Sequence, residues 1–560
     1  MTIRRNGISV GLAATVGCLW AIPYLTSIGA GIAWFIPGLL LLIAGARTRL
    51  SPFQMGFISG LYFHLTALHW LLFIPVKVGA VIGWLSLSAY CALYPALWCF
   101  FCWRMLSASS QPKTQTSDIS HLFRRLAAMN WAQRQIWAIV GATSWTAMEM
   151  LQSHLLTGFP WNLLGISQID LLPLIQLASV TGVYGVSFMV AWISLTLLLA
   201  IGQIASQPGQ PLFWSRELLP AGTILVLVTT LGFQHIQTSP ASEDEPPRLI
   251  RLALIQPSVD QTVIWEGSEP EERFEELIRL STDSLEHNPD LLVWPESALP
   301  SSLTSPERVS QFIKRHKIPL VFNEIDVSPP KPDGTRKMFN AAFLMNDQGV
   351  VIDHAHKHRL VMFGEYTPLA ETFPFLSKLS PIGQGFSSGK KPGILQLDSP
   401  DLKMGTLICF EDAFPALARE VARQKPDFII NLTNDAWFGQ SQAQWQHARA
   451  AAFRAIETGI PLVRCTNNGI TCWIDPYGRI KTGPIENPED VYKKSYKVLE
   501  IPLPSNSSER PHTQYVQDGD FFGWLCVSIS FALLFVRELF RIRGSNHDSN
   551  FDSDLLRDTL

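Results

Sequence analysis

Three residues whose types suit covalent acyl transfer stand at the ends of apolar runs. Glu296 follows LLVWP, Lys357 lies within HAHKHRLVMFGEYTP, and Cys409 follows GTLI. A cysteine thiol with a pKa of about 8.5 is mostly protonated at neutral pH. It becomes a nucleophile when a base within hydrogen-bond reach takes its proton. A partly buried carboxylate can be that base, because desolvation raises its proton affinity. The carbonyl under attack becomes an oxyanion, which an ammonium and a backbone N–H can stabilise. Glu, Lys and Cys are therefore a sufficient set for acyl transfer without a metal or other cofactor. Spacing alone leaves plainer readings open: a core cysteine at a strand end, a carboxylate capping a turn, a solvated lysine.

Such groups need a scaffold that converges on one point. After a polar linker, QTSPASEDEPP (237–247), short β-rich runs alternate with amphipathic helices. Strands are expected at 251–259 and 289–297, with a helix between them over 271–287. ERVSQFIKRHK reads as a helix and IPLVFNE as a strand. FNAAFLMNDQGVVIDHAHK reads as a hairpin turning at Asp347-Gln348-Gly349. MGTLICFED and DFIINLTND read as strands, each followed by a helix, FPALAREVARQK and WQHARAAAFRAIETG. A last hairpin turns at Asn467-Asn468-Gly469. The pattern predicts a layered α/β domain of about 270 residues. Polar residues gather where its strands end: Glu296, Cys409 with Glu411, and Asn434 with Asp435. Open α/β sheets hold ligands at such ends.

The rest of the chain has another solvent. Of 560 residues, 47% are hydrophobic and only 16% charged, which places part of the chain in lipid. A formal net charge of −3 and the lack of a basic tract exclude a nucleic-acid partner. Eight cysteines in a chain this long do not make a disulfide framework. With about 20 apolar residues needed per crossing, eight candidate spans stand out: 8–25, 28–46, 55–73, 80–103, 136–153, 178–204, 218–234 and 520–538. The start does not read as a cleavable signal peptide, because a second span follows almost at once. Lysine and arginine fall in alternate loops. Arg4, Arg5, Arg47, Arg49, the 104–135 loop, Arg216, Arg541 and Arg543 all lie on one side, whereas 74–79 holds Lys77 alone and 154–177 holds neither residue type. The positive-inside rule makes the first side cytoplasmic and puts 235–519 outside. The domains are then a membrane domain with seven helices over 1–234, an extracytoplasmic domain over 235–519, an eighth helix over 520–538, and a cytoplasmic tail over 539–560 without a fold of its own.

Local strings sharpen this reading. WPESALP, K-x-x-L-V-M-F-G-E and ICFEDAFP, in this order, with NLTNDAWFG and RAIETGIPLVRCTNNGIT, resemble the nitrilase superfamily of carbon–nitrogen hydrolases. Joined to the apolar spans, the chain resembles its bacterial apolipoprotein N-acyltransferase family. That resemblance covers roughly 250–500 by motif and the rest by topology. It implies a polytopic helical membrane domain carrying a nitrilase-like α-β-β-α sandwich on the periplasmic side of the inner membrane. It implies an acyl donor that is a membrane phospholipid and an acceptor that is a diacylglyceryl-apolipoprotein. It implies that Glu296 is general base, Lys357 stabilises the tetrahedral intermediate, and Cys409 carries the acyl group as a thioester. Glu365 and Glu411 match further functional acids, Trp265 a tryptophan near the acyl chain, and Trp437 another pocket residue. Phe410 stands where many relatives have Tyr, so aromatic packing is kept and a hydroxyl is absent. Met362 replaces a common Pro, and Asn323-Glu324 replaces a Gly-containing turn.

A membrane-tethered amidase keeps the chemistry and uses water, but hydrolysis of small amides needs no spans. A transporter or scaffold is opposed by how few ionisable residues lie at depth, Glu149 and His64 being exceptions. His354, His356 and His358 alternate with a metal-like spacing, but no acid pair or cysteine is evident beside them, and no metal is expected. Cys465 and Cys472 flank a turn and are candidates for a disulfide in an oxidising compartment. The apolar loop 154–177 and the segment 361–390 are candidate lipid-contacting arms.

Overall fold

The computed structural model describes residues 2–26, 29–45, 50–106, 119–206, 216–237, 247–300, 306–330, 332, 334–368, 385–482, 488–504 and 510–555. Within them the N-terminal part is helical. Among the described residues five helices are long and apolar enough to cross a membrane: Gly7–Leu25, Lys77–Leu106, Val183–Ile204, Leu219–Gln237 and Phe521–Leu539. Three expected spans take other forms. The 28–46 span is two short helices, Ala30–Ala33 and Ile36–Ala44, the second with Pro37 in its first turn. The 55–73 span is a 16-residue helix, Pro52–Ala67, followed by a 3-10 turn, His69–Phe73. The 136–153 span lies inside one helix, Trp131–His154, whose polar residues lower its hydropathy. Those residues find partners. Arg134 pairs with Glu217 at 2.6 Å, and Glu149 accepts from Trp145 Nε1 at 2.9 Å and Leu164 N–H at 2.7 Å. Large apolar side chains point outward along the bundle, including Val78, Ile82, Val226, Leu231, Phe233 and Phe531. Aqueous surfaces seldom carry so extensive an apolar belt. The final helix runs on to Leu555, so most of the expected tail is helical.

Among its described residues the α/β domain has twelve strands: β1 Arg248–Gln256, β2 Leu291–Val293, β3 Leu320–Val327, β4 Met338–Met345, β5 Val351–His356, β6 Ile394–Asp398, β7 Asp401–Ile408, β8 Phe428–Thr433, β9 Leu462–Thr466, β10 Cys472–Ile474, β11 Ile480–Lys481 and β12 Ser495–Leu503. They form two six-stranded sheets, β12-β1-β2-β3-β4-β5 and β11-β10-β9-β8-β7-β6. The middle of each sheet is parallel and its flanks antiparallel. The inner faces meet over Leu252, Val293, Leu344, Met404, Ile430 and Val463. Amphipathic helices Pro270–Leu285 and Pro306–His316 cover the outside of the first sheet, through Phe274, Leu277, Val309 and Ile313. Helices Pro415–Ala422 and Ala443–Thr458 cover the second. This is an α-β-β-α sandwich. The second helical layer shares one continuous core with the membrane helices.

Helix Ala443–Thr458 is the junction. Gln446 Oε1 accepts from Trp70, Trp161 and Asn162, at 3.1, 2.8 and 3.2 Å. Arg449 donates to the Pro23 carbonyl at 2.9 Å, and Glu457 accepts from Val183 N–H at 2.9 Å. The central stretch of the 154–177 loop, including Trp161, Asn162, Leu163 and Leu164, is therefore buried beneath the α/β domain and is not a lipid-contacting arm. Leu155 and Leu156, at its start, stay exposed. Of the other expected arm, 369–384 lies outside the described residues. Both hairpins turn where expected. Cys465 and Cys472 are free thiols. Cys472 pairs in register with Arg464, so the two cysteines face opposite sides of the sheet, one inside the sandwich and one toward the helices.

Candidate active site

Four strands deliver the site at their C-terminal ends. Cys409 follows β7 directly, Lys357 follows β5, Glu296 follows β2 by three residues, and Asn434-Asp435 follows β8. Cys409 opens a 3-10 turn, Cys409–Ala413, with φ at 54°. Few non-glycine residues adopt that conformation, and it is a common form of local strain at functional sites. Asn431 Nδ2 holds the Cys409 carbonyl at 2.9 Å. Ser297, beside Glu296, also has positive φ, at 60°, and its N–H is fixed by Asn323 Oδ1 at 3.1 Å.

The charged groups converge. Lys357 is 1% exposed; its Nζ lies 2.8 Å from Glu365 Oε1 and 3.7 Å from Glu296 Oε1. Glu296 is 6% exposed and accepts from Asn340 Nδ2 at 2.8 Å and Asn434 N–H at 3.0 Å. Asn340 Nδ2 also reaches Glu365 Oε1 at 3.2 Å, and its carbonyl holds Lys357 N–H at 2.8 Å. Glu365 in turn accepts from Val361 N–H at 2.8 Å. Glu411 ties the turn at Cys409 to the loop at Lys357. It accepts from Ile408 N–H at 2.7 Å, His358 N–H at 2.8 Å and Arg359 N–H at 2.7 Å.

Electrostatics set the resting protonation. Burial pushes the Glu296 carboxyl up; Lys357 opposes this and Glu365 adds to it. Burial alone would lower the Lys357 ammonium, but Glu365 and Glu296 outweigh it and raise it, so Lys357 stays charged. Burial and then the Glu296 charge push the Cys409 thiol well above its ordinary value, with Lys357 opposing them. The resting pair is therefore a thiol beside a carboxylate of raised proton affinity, an arrangement suited to exchange of one proton.

The supporting residues fall into two groups. Trp265 and Trp437 meet edge to face, centroids 5.1 Å apart, on two short helical turns, Gln261–Glu266 and Asp435–Phe438. Asn434 joins these turns through Gln261 at 2.8 Å. Phe410 packs between Phe414, Trp161 and Phe159 at 5.0, 5.6 and 6.1 Å, so its ring docks the Cys409 turn on the N-terminal helical domain.

Several residues were not found from the sequence. Asn340 sits at the centre of the acid–lysine cluster, yet FNAAF shows only one polar residue in a strand. Behind the Cys409 turn, His447 bridges Asp412 at 2.6 Å and Asp435 at 2.8 Å, and Arg464 pairs with both acids. All four are almost wholly buried. Charges in the alanine-rich WQHARAAAFRAIETG and the apolar IPLVRCT were the available signal, since buried charges need partners.

Residues 251–496 match the carbon–nitrogen hydrolase family, and residues 16–196 match the apolipoprotein N-acyltransferase N-terminal domain. The apolipoprotein N-acyltransferase of Geobacter metallireducens is 33% identical over 527 residues, covering 92% of this chain and 93% of its own length. That of Chlorobaculum tepidum is 28% identical over 551 residues, covering 88% and 98%. Among solved structures, an amidase from Nesterenkonia sp. aligns with 47% of this chain and 93% of its own at 17% identity and a TM-score of 0.31.

Proposed function

This chain belongs to the apolipoprotein N-acyltransferases, and from that premise we propose that Glu296, Lys357 and Cys409 carry its acyl transfer through a thioester. Glu296 takes the Cys409 proton as the sulfur attacks an ester carbonyl of a membrane phospholipid. Lys357 and a backbone N–H of the turn at Cys409 hold the oxyanion. The intermediate collapses, the C–O bond breaks, and protonated Glu296 returns its proton to the departing lysophospholipid oxygen. The α-amine of a diacylglyceryl-cysteine at an apolipoprotein N-terminus then attacks the thioester. Glu296 accepts the amine proton, the C–S bond breaks, and the sulfur regains the proton. An amide is formed. The observation that carries this reading is the shared contact set of Lys357 with Glu296 and Glu365 beside a strained cysteine.

We further propose that the chain crosses the inner membrane eight times with the α/β domain on the periplasmic side. Ion pairs support a common cytoplasmic end of the bundle. Arg104 meets Glu538 at 2.6 Å, and Arg134 meets Glu217 at 2.6 Å. The opposite helix ends, at Pro23, Ala67, Trp161 and Val183, contact the α/β domain. A site at that face receives two lipid-anchored substrates without taking either out of the membrane. In this reading Trp265 lies near the acyl chain, and Trp437, edge to face with it, lines the same pocket.

Two half-reactions through one covalent state give ping-pong kinetics. Initial rates at varied phospholipid and varied diacylglyceryl peptide should give parallel double-reciprocal lines. Intersecting lines would mean that both substrates must be bound before chemistry, and the thioester mechanism would fail.

A further inference from the structure

On the outer face of the first sheet, away from Cys409, three side chains converge that the reaction does not use. Strand β5 projects His354 and His356 to one side, and β3 projects Asp326 beside them. One ligand atom from each lies within 4.8 Å of the others. His356 Nε2 already meets Asp326 Oδ2 at 2.7 Å. Both imidazoles rest on aromatic rings of the intervening strand β4: His356 on Phe339 with centroids at 4.1 Å, and His354 on Phe343 at 5.8 Å. These rings restrict each imidazole's orientation, as supporting residues do at metal sites. His358 is not part of the group, since its Nδ1 turns to the Gly389 carbonyl at 2.8 Å.

A second feature lies one row back on the same face. Glu324 aligns across Ala341 with His356. Its Oε2 is buried and has no hydrogen-bond partner among the described residues. Buried carboxylate oxygens are normally satisfied. A cleft of about 550 Å³ opens beside the histidines, lined by Lys337, Lys390 and Lys391.

We propose that Asp326, His354 and His356 form a site for a divalent transition metal of the zinc class, with Glu324, aligned with His356 across β4, as the candidate for a further oxygen donor. Two imidazoles and a carboxylate suit zinc, and tetrahedral bonds of about 2.0–2.1 Å place ligand atoms ~3.3 Å apart. The present spread closes to that value by side-chain rotation. The three lysines weaken the hold on a bare cation and favour an anion or hydroxide at any position left open. The metal ties β3 to β5 across β4, and β5 ends one residue before Lys357. Its effect is to pin the edge strand that carries the lysine.

The test uses the full chain in detergent micelles, stripped with a chelator and titrated with cobalt(II), with zinc as competitor. One equivalent should bind, with visible ligand-field bands and no thiolate charge-transfer band. Cys409→Ala should bind equally. His356→Ala and Asp326→Asn should lose more affinity than the roughly 10–100-fold that removal of an outer supporting residue costs. The exposed His354 can be changed to Ala without opening the core, so His354→Ala keeps the test valid if another variant fails to fold. Zinc should raise the melting temperature of the wild type and leave that of His354→Ala unmoved. No saturable binding, binding that survives in His354→Ala, or binding that disappears in Cys409→Ala would overturn the site.

Discussion

Replacing Glu411 with Gln should cripple the enzyme without touching a reacting atom. The carboxylate accepts three backbone N–H groups, one from the strand that ends at Cys409 and two from the loop that starts at Lys357. Hydrogen bonds to a charged acceptor contribute about 1.5–3 kcal/mol each, and neutral ones about 0.5–1.5. In Glu411→Gln one oxygen still serves His358 and Arg359, as a neutral acceptor. The NH2 group then faces Ile408 N–H, which loses its partner in a buried place at a cost of about 1–3 kcal/mol. Against this, the amide escapes the burial that pushes the Glu411 carboxyl up. A net loss of about 2–4 kcal/mol is expected. Because the broken contact sets the distance between Cys409 and Lys357, the loss falls on transition-state geometry. At about 1.4 kcal/mol per tenfold, kcat should drop roughly 30–1,000-fold. Single-turnover acylation by phospholipid and the alkylation rate of Cys409 by iodoacetamide would both report it. A variant that melts at a lower temperature but keeps both rates within about threefold of wild type would refute the reasoning, leaving Glu411 a purely structural acid.

As the proposed base Glu296 must be unprotonated, and burial raises its pKa, so activity should fall as pH drops through a value above the ordinary carboxylate range. Because Glu365 contributes to that elevation, Glu365→Gln should move the acid limb of kcat/KM to lower pH while reducing kcat; an unmoved limb would dissociate Glu365 from the base. Burial alone would lower the His447 pKa, but Asp412 and Asp435 raise it from 6.5 to about 9. Its stabilisation is therefore complete below pH 6.5 and lost as pH rises through about 9, a change of up to about 3 kcal/mol. Thermal melting from pH 6 to 10 should show that decline in the wild type and a flatter profile in His447→Gln; parallel profiles would contradict the linkage.

The positions that local strings mark were legible in the sequence. Glu296, Lys357 and Cys409 each end a β-run, and short apolar or β-rich runs bounded by turn residues give the strands and both hairpins. Their convergence was legible only through resemblance, because no local pattern says that β2, β5 and β7 finish side by side. Asn340 shows the limit: its role comes from β4 lying between β3 and β5, a fact of sheet order. Asp326 shows it again. Asp353 directly precedes the alternating histidines of 354–358 but lies on the opposite face of β5, and the acid that joins them arrives from two strands away. The 154–177 loop misled for a related reason. Its apolar residues suit lipid and a protein interior equally, and the polar partner that decides between them, Gln446, lies far along the chain.

Intact-mass spectrometry of the protein purified from membranes, before and after hydroxylamine, addresses Cys409 most directly. An added fatty-acyl mass is expected, removed by hydroxylamine and missing from Cys409→Ala. A folded wild-type protein that takes up no acyl mass after incubation with phospholipid, or an adduct that persists in Cys409→Ala, would contradict a thioester at this cysteine.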